Sequence, residues 1–269
     1  MNIHFIGGGN MASALIGGLL DKGFDASGIR VVDPSPQQRQ TLAEKFGVEC
    51  LTDADAVARE ADVLVLAVKP QQMRDALTPL ASRLTRPVVL SIAAGLTLAT
   101  ISGWLGGYRR VVRAMPNTPA LIGAGMSGLF APPELTQEER RMAETVLAAT
   151  GKILWVEDER QMDAITAISG SGPAYFFLFI EALEDAALAL GLPPEAARAL
   201  AIETGFGATS LARASREAPA VLRARVTSKG GSTAAALAVM EETGVATAII
   251  AGARAACARS AELARQSGA

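Results

Sequence analysis

The first half of the chain alternates short apolar runs with amphipathic stretches, and this alternation constrains the fold more than any other feature. Runs such as IHFIG at 3–7 and ADVLVLAV at 61–68 have the length and composition of buried strands, and the stretches between them have helical periodicity. Strands that alternate with helices form βαβ units with parallel strands. The sequence therefore predicts an α/β domain with a parallel sheet over residues 1–162, including an added pair of strands within 115–130.

The second half lacks strand patterns and is predicted to be all-helical over residues 163–269. Its first long helix begins near Gly172, where Pro173 suits the first helical position, and ends at Gly191. The segment YFFLFIEAL at 175–183 is apolar on most sides, and a small helical bundle has too few neighbours to cover it. We therefore predict that this domain associates with a second copy of the chain.

Composition and charge argue against several classes of function. The 269-residue chain has a net charge of −2 and no basic cluster, so we expect no nucleic-acid partner. Cys50 and Cys257 are far apart and no signal-peptide pattern is present, which predicts a cytoplasmic protein with neither disulfides nor a metal site. Glycines interrupt the uncharged run at 87–108, so we predict a buried strand and a short helix there, and no membrane span. The sole histidine, His4, lies in an apolar run and is not expected to be catalytic.

A glycine-rich turn follows the first predicted strand and begins the first predicted helix. The sequence FIGGGNMA places Gly7, Gly9 and Ala12 in a G-x-G-x-x-A pattern. The first glycine of such a turn permits the tight bend, the second lets the backbone approach a pyrophosphate, and the alanine allows close helix–strand packing. The helix N-terminus then faces the phosphates. This pattern predicts a Rossmann-like, dinucleotide-binding N-terminal domain.

The end of the second strand leaves the choice of dinucleotide open. Asp33 stands where an acidic residue usually bonds the adenosine ribose and favours NAD. Ser35 and Arg39 are suited instead to the 2′-phosphate of NADP, and Asp33 is equally suited to cap the following helix.

Three further strand ends are predicted to line the cofactor crevice, because ligands of open parallel sheets lie outside the carboxyl ends of the strands. They are AVKP at Ala67–Pro70, SIAAG with Ala93, and MPNTP with Asn117. Lys69 and Asn117 are the polar residues of this rim. The segment ISGSGPAYFF at 168–177 is interpreted as a hinge or as part of a substrate cleft, and the hinge is favoured.

A second glycine-rich segment, VTSKGGST at 226–233, precedes an alanine-rich helix. Gly230 and Gly231 permit backbone N–H groups to converge on an anion, and the helix that starts near Ser232 directs its positive end the same way. This arrangement suits one carboxylate. The alternative is a plain turn between helices, with Ser232 or Thr233 as the cap.

Together, FIGGGNMA, LAVKP, MPNTP, ISGSGPAYFF and VTSKGGSTAAAL resemble the motifs of the pyrroline-5-carboxylate reductase family, in order and spacing, over nearly the whole chain. The resemblance implies the last step of proline synthesis, in which a nicotinamide, usually NADPH, delivers hydride to 1-pyrroline-5-carboxylate and yields L-proline. Many relatives have Asn or Ser followed by Arg where this chain has Asp33, Pro34 and Ser35, so NAD(H) stays an alternative to NADP(H). The resemblance also implies homodimers, often assembled into larger rings, in which the substrate loop serves the partner's cofactor.

The predicted residues fall into two sites. The predicted cofactor residues are Ile6, Gly7, Gly8, Gly9, Asn10, Met11, Asp33, Ser35, Arg39, Ala67, Val68, Lys69, Pro70, Ala93 and Asn117. The predicted substrate residues are Ser228, Gly230, Gly231, Ser232 and Thr233. In this scheme the hydroxyl of Thr233 bonds the ring nitrogen, and the glycine amides with Ser228 hold the carboxylate. A substrate that arrives as an iminium needs positioning more than a dedicated acid.

Two other functions compete with this interpretation. A hydroxyacid dehydrogenase of similar build needs a base, commonly a lysine on the long helix, and residues 173–190 contain no lysine. A protein that binds NADP without turnover explains the first glycine turn but gives the segment at 226–233 no purpose.

Overall fold

A computed structural model describes residues 1–81 and 83–267, with the side chains of all these residues except 55–57 and 267. Within them, one eight-stranded sheet has the order β3-β2-β1-β4-β5-β6-β7-β8. The strands are β1 (Ile3–Ile6), β2 (Ile29–Val32), β3 (Glu49–Leu51), β4 (Val63–Leu66), β5 (Val88–Ser91), β6 (Val111–Met115), β7 (Gly125–Phe130) and β8 (Gly151–Trp155).

The sheet is parallel from β3 to β6, as the alternating pattern predicts, but β7 runs antiparallel to β6. The prediction of two strands within 115–130 is wrong, because a 3-10 turn at Thr118–Ile122 and the single strand β7 occupy this segment. The short connection from β6 to β7 has no room for the crossover helix that a parallel neighbour requires. The last strand, β8, is parallel to β7.

Twelve helices accompany the strands within the described residues. They are α1 (Asn10–Asp21), α2 (Pro36–Phe46), α3 (Ala54–Glu60), α4 (Pro70–Leu77), α5 (Leu98–Trp104), α6 (Gln137–Ala148), α7 (Gln161–Ile165), α8 (Gly172–Ala189), α9 (Pro194–Ala214), α10 (Pro219–Arg225), α11 (Ser232–Glu242) and α12 (Val245–Ser267). The described residues after β8 form helices and turns, so the predicted fold class is confirmed. The strand and short helix predicted within 87–108 are β5 and α5.

Two apolar clusters cover the two faces of the sheet. Phe5 of β1 packs on one face with Leu15 of α1 and Val146 of α6. Ile6, the next residue of β1 on the other face, packs with Met73 of α4 and its neighbours. Each such large side chain, when fully buried, stabilises the fold by about 2 kcal/mol. The three layers keep the strand ends at fixed positions along one edge of the sheet.

The described residues divide into two compact units. One comprises Met1–Ser171 together with the C-terminal residues from Ala255, and the other is Gly172–Arg254. In the second unit, α8 and α9 pack against each other. The prediction of a domain boundary between residues 162 and 163 stays a prediction.

Candidate functional site

The glycine turn after β1 is built against the end of β4. The two strands are parallel neighbours with Ile6 opposite Leu66, and the N–H of Ala67 donates to the carbonyl of Ile6 at 2.8 Å. Gly7 has φ +97°, and a Cβ there would lie 2.8 Å from the carbonyl carbon and oxygen of Ala67 and from Cγ1 of Val68. Both the backbone conformation and the close approach therefore require glycine at position 7.

The two peptides on either side of Gly8 are held by side chains from the end of β2 and the start of α2. The N–H of Gly8 donates to Oδ2 of Asp33 at 2.8 Å, and Nε2 of Gln38 donates to the carbonyl of Gly8 at 2.5 Å. The other oxygen of Asp33 accepts from the N–H of Ser35 at 2.9 Å. The cap of α2 is the hydroxyl of Ser35, which accepts from the N–H of Gln38 at 3.3 Å, so Asp33 is not that cap.

Gly9 leaves the start of α1 open. It is the N-cap residue of α1, is exposed, and makes no side-chain cap. The N–H groups of Asn10, Met11 and Ala12 lie in the first turn, where a helix provides no internal partner for them. A Cβ built on Gly9 meets no atom within 4 Å, so the space beside this residue is open among the described residues. This is the geometry that accepts a pyrophosphate.

The remaining predicted cofactor residues follow the carboxyl ends of β4, β5 and β6, on the same edge of the sheet. Lys69 is exposed and is the N-cap residue of α4, which begins at Pro70 and has no side-chain cap. Ala93 is buried beyond β5, and its N–H lies 3.4 Å from Oγ of Ser91. The structure thus brings these positions to one edge, and their contacts with a cofactor stay predictions.

Asn117, beyond β6, holds neighbouring segments of the protein together. Its side-chain amide donates to the carbonyl and hydroxyl of Ser169 at 3.1 and 3.3 Å, and its carbonyl accepts from the N–H of Met126 at 2.9 Å. Ser169 in turn donates to the carbonyl of Met126 at 3.2 Å. Ser169 belongs to a π-helical turn, Thr166–Gly170, so these bonds fasten that turn to β7. The predicted contact of Asn117 with cofactor stays a prediction.

Near Asp33, the charged Arg39 also serves the protein's own backbone. Its Nη1 donates to the carbonyls of Asp33 and Pro34 at 2.7 and 3.0 Å.

Burial raises the pKa of the neighbouring Cys50 thiol, which keeps it neutral near pH 7. Among the described residues, no group of three or more His, Cys, Asp or Glu side chains is arranged to hold a metal ion.

Sequence reasoning missed a buried ion pair beside this edge. Arg113 of β6 is 4% exposed and donates to Glu159 at 3.1 Å, and the same carboxylate oxygen accepts from the N–H of Leu98 at 2.8 Å. The pair therefore ties β6 and the start of α5 to the segment before α7. Residues so distant in sequence give no local signal of pairing.

The second glycine segment, which we call the C-terminal glycine loop (Ser228–Thr233), forms a tight turn at the start of α11. The N–H of Gly231 donates to the carbonyl of Ser228 at 3.1 Å, and Gly230 has φ +74°. The N-cap residue of α11 is Gly231 and makes no side-chain cap, so the alternative in which Ser232 or Thr233 caps the helix is wrong.

This loop presents several polar groups at one helix start. The N–H groups of Ser232, Thr233 and Ala234 occupy the first turn of α11, where the helix leaves them without an internal partner. A Cβ on Gly231 would lie 2.5 Å from Oγ of Ser228, so that hydroxyl lies beside the helix start. The N–H of Gly231 already donates to Ser228 within the turn, so this N–H is not free to bind a substrate. The predicted contacts of Gly231 and of the other loop residues with substrate stay predictions.

Comparison with known proteins shows which family the chain belongs to. A family model described as "Pyrroline-5-carboxylate reductase dimerisation" matches residues 159–263, and one described as "NADP oxidoreductase coenzyme F420-dependent" matches residues 2–95. The pyrroline-5-carboxylate reductase of Pseudomonas aeruginosa is 47% identical over 99% of this chain and 98% of its own length. That of Arabidopsis thaliana is 38% identical over 89% of this chain and 87% of its own.

Solved structures give the same result. A pyrroline-5-carboxylate reductase from Coxiella burnetii superposes with a TM-score of 0.92 at 42% identity, covering 97% of this chain and 98% of that one. The Plasmodium falciparum pyrroline carboxylate reductase with NADP bound superposes with a TM-score of 0.88 at 28% identity, covering 98% of both chains. The chain therefore belongs to the pyrroline-5-carboxylate reductase family.

Proposed function

We propose that this chain carries out the reaction of its family at two helix starts, with the dinucleotide at α1 and the substrate carboxylate at α11. Family membership confirms the predicted enzyme, which reduces 1-pyrroline-5-carboxylate to L-proline by hydride transfer, and the predicted cofactor NADP(H). The observation that carries the proposal is the pair of helix starts with glycine at the N-cap and no side-chain cap.

The residues at the start of α1 fit a dinucleotide. A Cβ would not fit at Gly7, and at Gly8 it would require the side chain of Leu42 to shift, whereas the space beside Gly9 is open. The turn is therefore tight on the protein side and accessible on the ligand side. The first turn of α1 contains no acidic residue to compete with phosphate for the open N–H groups. When bound, NADPH supplies the hydride. The chain's own residues fix where it lies.

The C-terminal glycine loop fits a small carboxylate. The open N–H groups at the start of α11 and the hydroxyl of Ser228 are donors, and the first turn of α11 also lacks an acidic residue. Lys229 is exposed on the loop and adds positive charge beside the same anion. A single carboxylate matches these donors in size and sign.

In the reaction, the hydride adds to the imine carbon and the electron pair of the C=N bond passes to the nitrogen. We assign the nitrogen to the hydroxyl of Thr233, which donates to the neutral imine or accepts from the iminium N–H. A substrate that binds as an iminium already carries the proton that the amine product keeps, so the residues at this site position the ring and exclude water. The sole histidine, His4, is buried within β1, which agrees with a mechanism that does not use it.

The role of Thr233 is tested by replacing it with alanine. One useful hydrogen bond contributes about 1.4 kcal/mol, so Thr233→Ala should lower kcat/KM by about 10-fold. Thr243→Ala is the matched control, because Thr243 stands at the other end of α11 and its hydroxyl donates to the carbonyl of Val239 at 2.8 Å. Unchanged kinetics in Thr233→Ala would remove this residue from the mechanism.

The activity itself is tested by following nicotinamide absorbance with 1-pyrroline-5-carboxylate and either NADPH or NADH. Oxidation of a cofactor only when the imine is present is the expected result. No oxidation with either cofactor would contradict the proposed function. The ratio of the two rates measures the cofactor preference.

We also propose that the chain is a homodimer whose helical units pair, with larger rings as further assemblies. Residues 176–179 of α8 are between 47% and 65% exposed in the single chain. Because successive helical residues point about 100° apart, four exposed apolar residues in a row give α8 an exposed apolar surface wider than one stripe, although α9 packs against the helix. The match to the reductase dimerisation model over 159–263 supports a second copy as the cover.

A membrane is the alternative cover for this apolar surface. Among the described residues, the helical run Gln161–Ala189 is long and apolar enough to cross one, and 232–242 with 245–266 would also pass as a bent pair. The proposed assembly predicts that the protein is recovered without detergent. Light scattering should then give twice the mass of the chain, or a multiple of that mass if dimers form rings. Phe177→Glu should shift it to monomer and Phe177→Leu should not. Recovery only in detergent would contradict both the dimer and the cytoplasmic location that we propose.

The resemblance further implies that the loop of one subunit serves the cofactor of the other, and mixed dimers test this. Gly9→Asp blocks the dinucleotide end, and Gly231→Asp places a negative charge at the carboxylate end. In mixed dimers with shared sites, one site carries both defects and the other carries neither, so activity should return on mixing. If each subunit holds a complete site, every site carries a defect and mixing restores nothing.

A further inference from the structure

Asp33 occupies the position at which dinucleotide-binding folds read the ribose, yet its carboxylate is already engaged with the protein. In NAD enzymes, an acidic residue at the end of the second strand hydrogen-bonds the ribose hydroxyls and repels a 2′-phosphate. Here, Oδ2 accepts from the N–H of Gly8 at 2.8 Å and Oδ1 accepts from the N–H of Ser35 at 2.9 Å. Each oxygen therefore has a backbone partner before any ligand arrives.

The bond to Gly8 controls the shape of the dinucleotide turn. Gly8 is the middle residue between Gly7 and Gly9, and a Cβ there would lie 2.5 Å from Cδ1 of Leu42. Its N–H is held by Asp33, and its carbonyl is held by Nε2 of Gln38 at 2.5 Å. Two side chains from one segment thus fix the two peptide planes that flank Gly8, one through its N–H and one through its carbonyl. The directions in which the following N–H groups of α1 point depend on those planes.

A positively charged side chain, that of Arg39, lies beside the backbone of Asp33. Arg39 donates through Nη1 to the carbonyl of Asp33 at 2.7 Å, which keeps its guanidinium beside the same segment. A guanidinium has five N–H donors, and the bonds from Arg39 to the carbonyls of Asp33 and Pro34 use those of Nη1. A 2′-phosphate at the end of β2 would therefore meet the positive guanidinium of Arg39 as well as the carboxylate of Asp33, which already accepts two backbone N–H groups.

We propose that Asp33 is a positioning residue for the dinucleotide turn: it fixes the Gly7–Gly8 peptide through the N–H of Gly8 and does not select against the 2′-phosphate of NADP. The proposal rests on the dinucleotide assignment made above for the start of α1. An acidic residue at this position usually bonds the ribose and favours NAD, whereas here it is assigned to the turn. Asp33 then shares its role with the uncharged Gln38, which also bonds Gly8.

The test compares binding of NADP⁺ and NAD⁺ to the full-length enzyme by titration calorimetry, without substrate. The variants are Asp33→Asn, which keeps the size of the side chain and removes the charge, and Gln38→Ala, which removes the support on the other side of Gly8. Each should raise the Kd of both dinucleotides about 5-fold or more at 25 °C, with the ratio of the two Kd values changed less than 2-fold. The melting temperature of the ligand-free protein shows that each variant is folded at the temperature of the titration.

The opposite result is equally clear. If Asp33 reads the ribose, Asp33→Asn should bind NADP⁺ more tightly and NAD⁺ more weakly, so that the ratio shifts 10-fold or more while Gln38→Ala leaves it unchanged. That shift, or unaltered Kd values in a folded Asp33→Asn, overturns the proposal while leaving the proposed function intact. Failure of the wild-type enzyme to bind either dinucleotide would contradict the proposed function and this inference together.

Discussion

The hydroxyl of Ser228 can occupy its position beside α11 only because residue 231 has no side chain. Gly231 has φ −79° and ψ 170°, a conformation that alanine adopts without strain. A Cβ there would lie 2.5 Å from Oγ of Ser228 and 3.2 Å from its carbonyl oxygen. The hydroxyl is the end of a side chain that can rotate about χ1, so Gly231→Ala should turn it away from the helix start.

The expected loss follows from the partner of that hydroxyl. A hydrogen bond to a charged group contributes about 1.5–3 kcal/mol, and the lower value suits an exposed loop. Because 1.4 kcal/mol corresponds to a factor of ten, Gly231→Ala and Ser228→Ala should each raise the KM for the imine substrate about 10-fold. The carboxylate is bound before and during hydride transfer, so kcat should change little.

The double variant gives the decisive measurement. If both single changes remove the same hydrogen bond, Ser228→Ala/Gly231→Ala should also raise KM about 10-fold, whereas independent effects would multiply to about 100-fold. Gly103→Ala is the matched control, since a Cβ there meets no atom within 4 Å and the residue belongs to α5, which is not part of the predicted substrate loop. Multiplying losses, or a KM within 2-fold of wild type in either single variant, would refute the assignment of Ser228 to the carboxylate.

Two further predictions concern the dinucleotide turn and acid stability. Gly7→Ala should lower both the melting temperature and the affinity for NADP(H), because residue 7 has φ +97° and no room for a Cβ. Gly9→Ala should lower the affinity alone, because the space around residue 9 is open. Thermal unfolding with and without dinucleotide separates the effect on stability from the effect on binding. Burial alone would raise the pKa of Glu139. The hydrogen bonds that its carboxylate accepts from Thr136 and Arg110 together lower the pKa by more than burial raises it, so the pKa lies below the ordinary value. A lowered folded-state pKa gives stability that is present above the ordinary glutamate pKa of about 4.3 and is lost as the pH falls below it. Glu139→Gln should therefore reduce the drop in melting temperature between pH 7 and pH 3, and an equal drop in both proteins would contradict this role of the carboxylate.

Sequence was sufficient wherever the physical signal is local. The period of apolar residues indicated the strands and helices, and the G-x-G-x-x-A spacing indicated the turn at Gly7, because a tight bend and a close approach both demand glycine there. The direction of β7 was not predictable, since an apolar run has the same composition in either direction. It was set by the length of the connection from β6, which the structure reveals.

The pairing of distant residues was the other part that sequence could not supply. Asp33 and Gly8 are 25 positions apart and Arg113 and Glu159 are 46 apart, and neither spacing has a periodic signature. The sequence could name Asp33 as a residue of the cofactor end but could not say which atoms its carboxylate binds.

The difference between helices with a side-chain cap and helices that begin at glycine sets apart the two proposed binding positions. Helices α2, α5 and α6 begin with the side chains of Ser35, Thr97 and Thr136, each of which accepts from an N–H of its own first turn. Helices α1 and α11 begin instead with Gly9 and Gly231, which engage none of those groups. Replacing a polar N-cap by glycine costs only a few tenths of a kcal/mol, so leaving the N–H groups open takes little from the stability of the fold. Since the two proposed ligands, a pyrophosphate and a carboxylate, are both anions, each can complete a helix start that the sequence leaves without a side-chain cap.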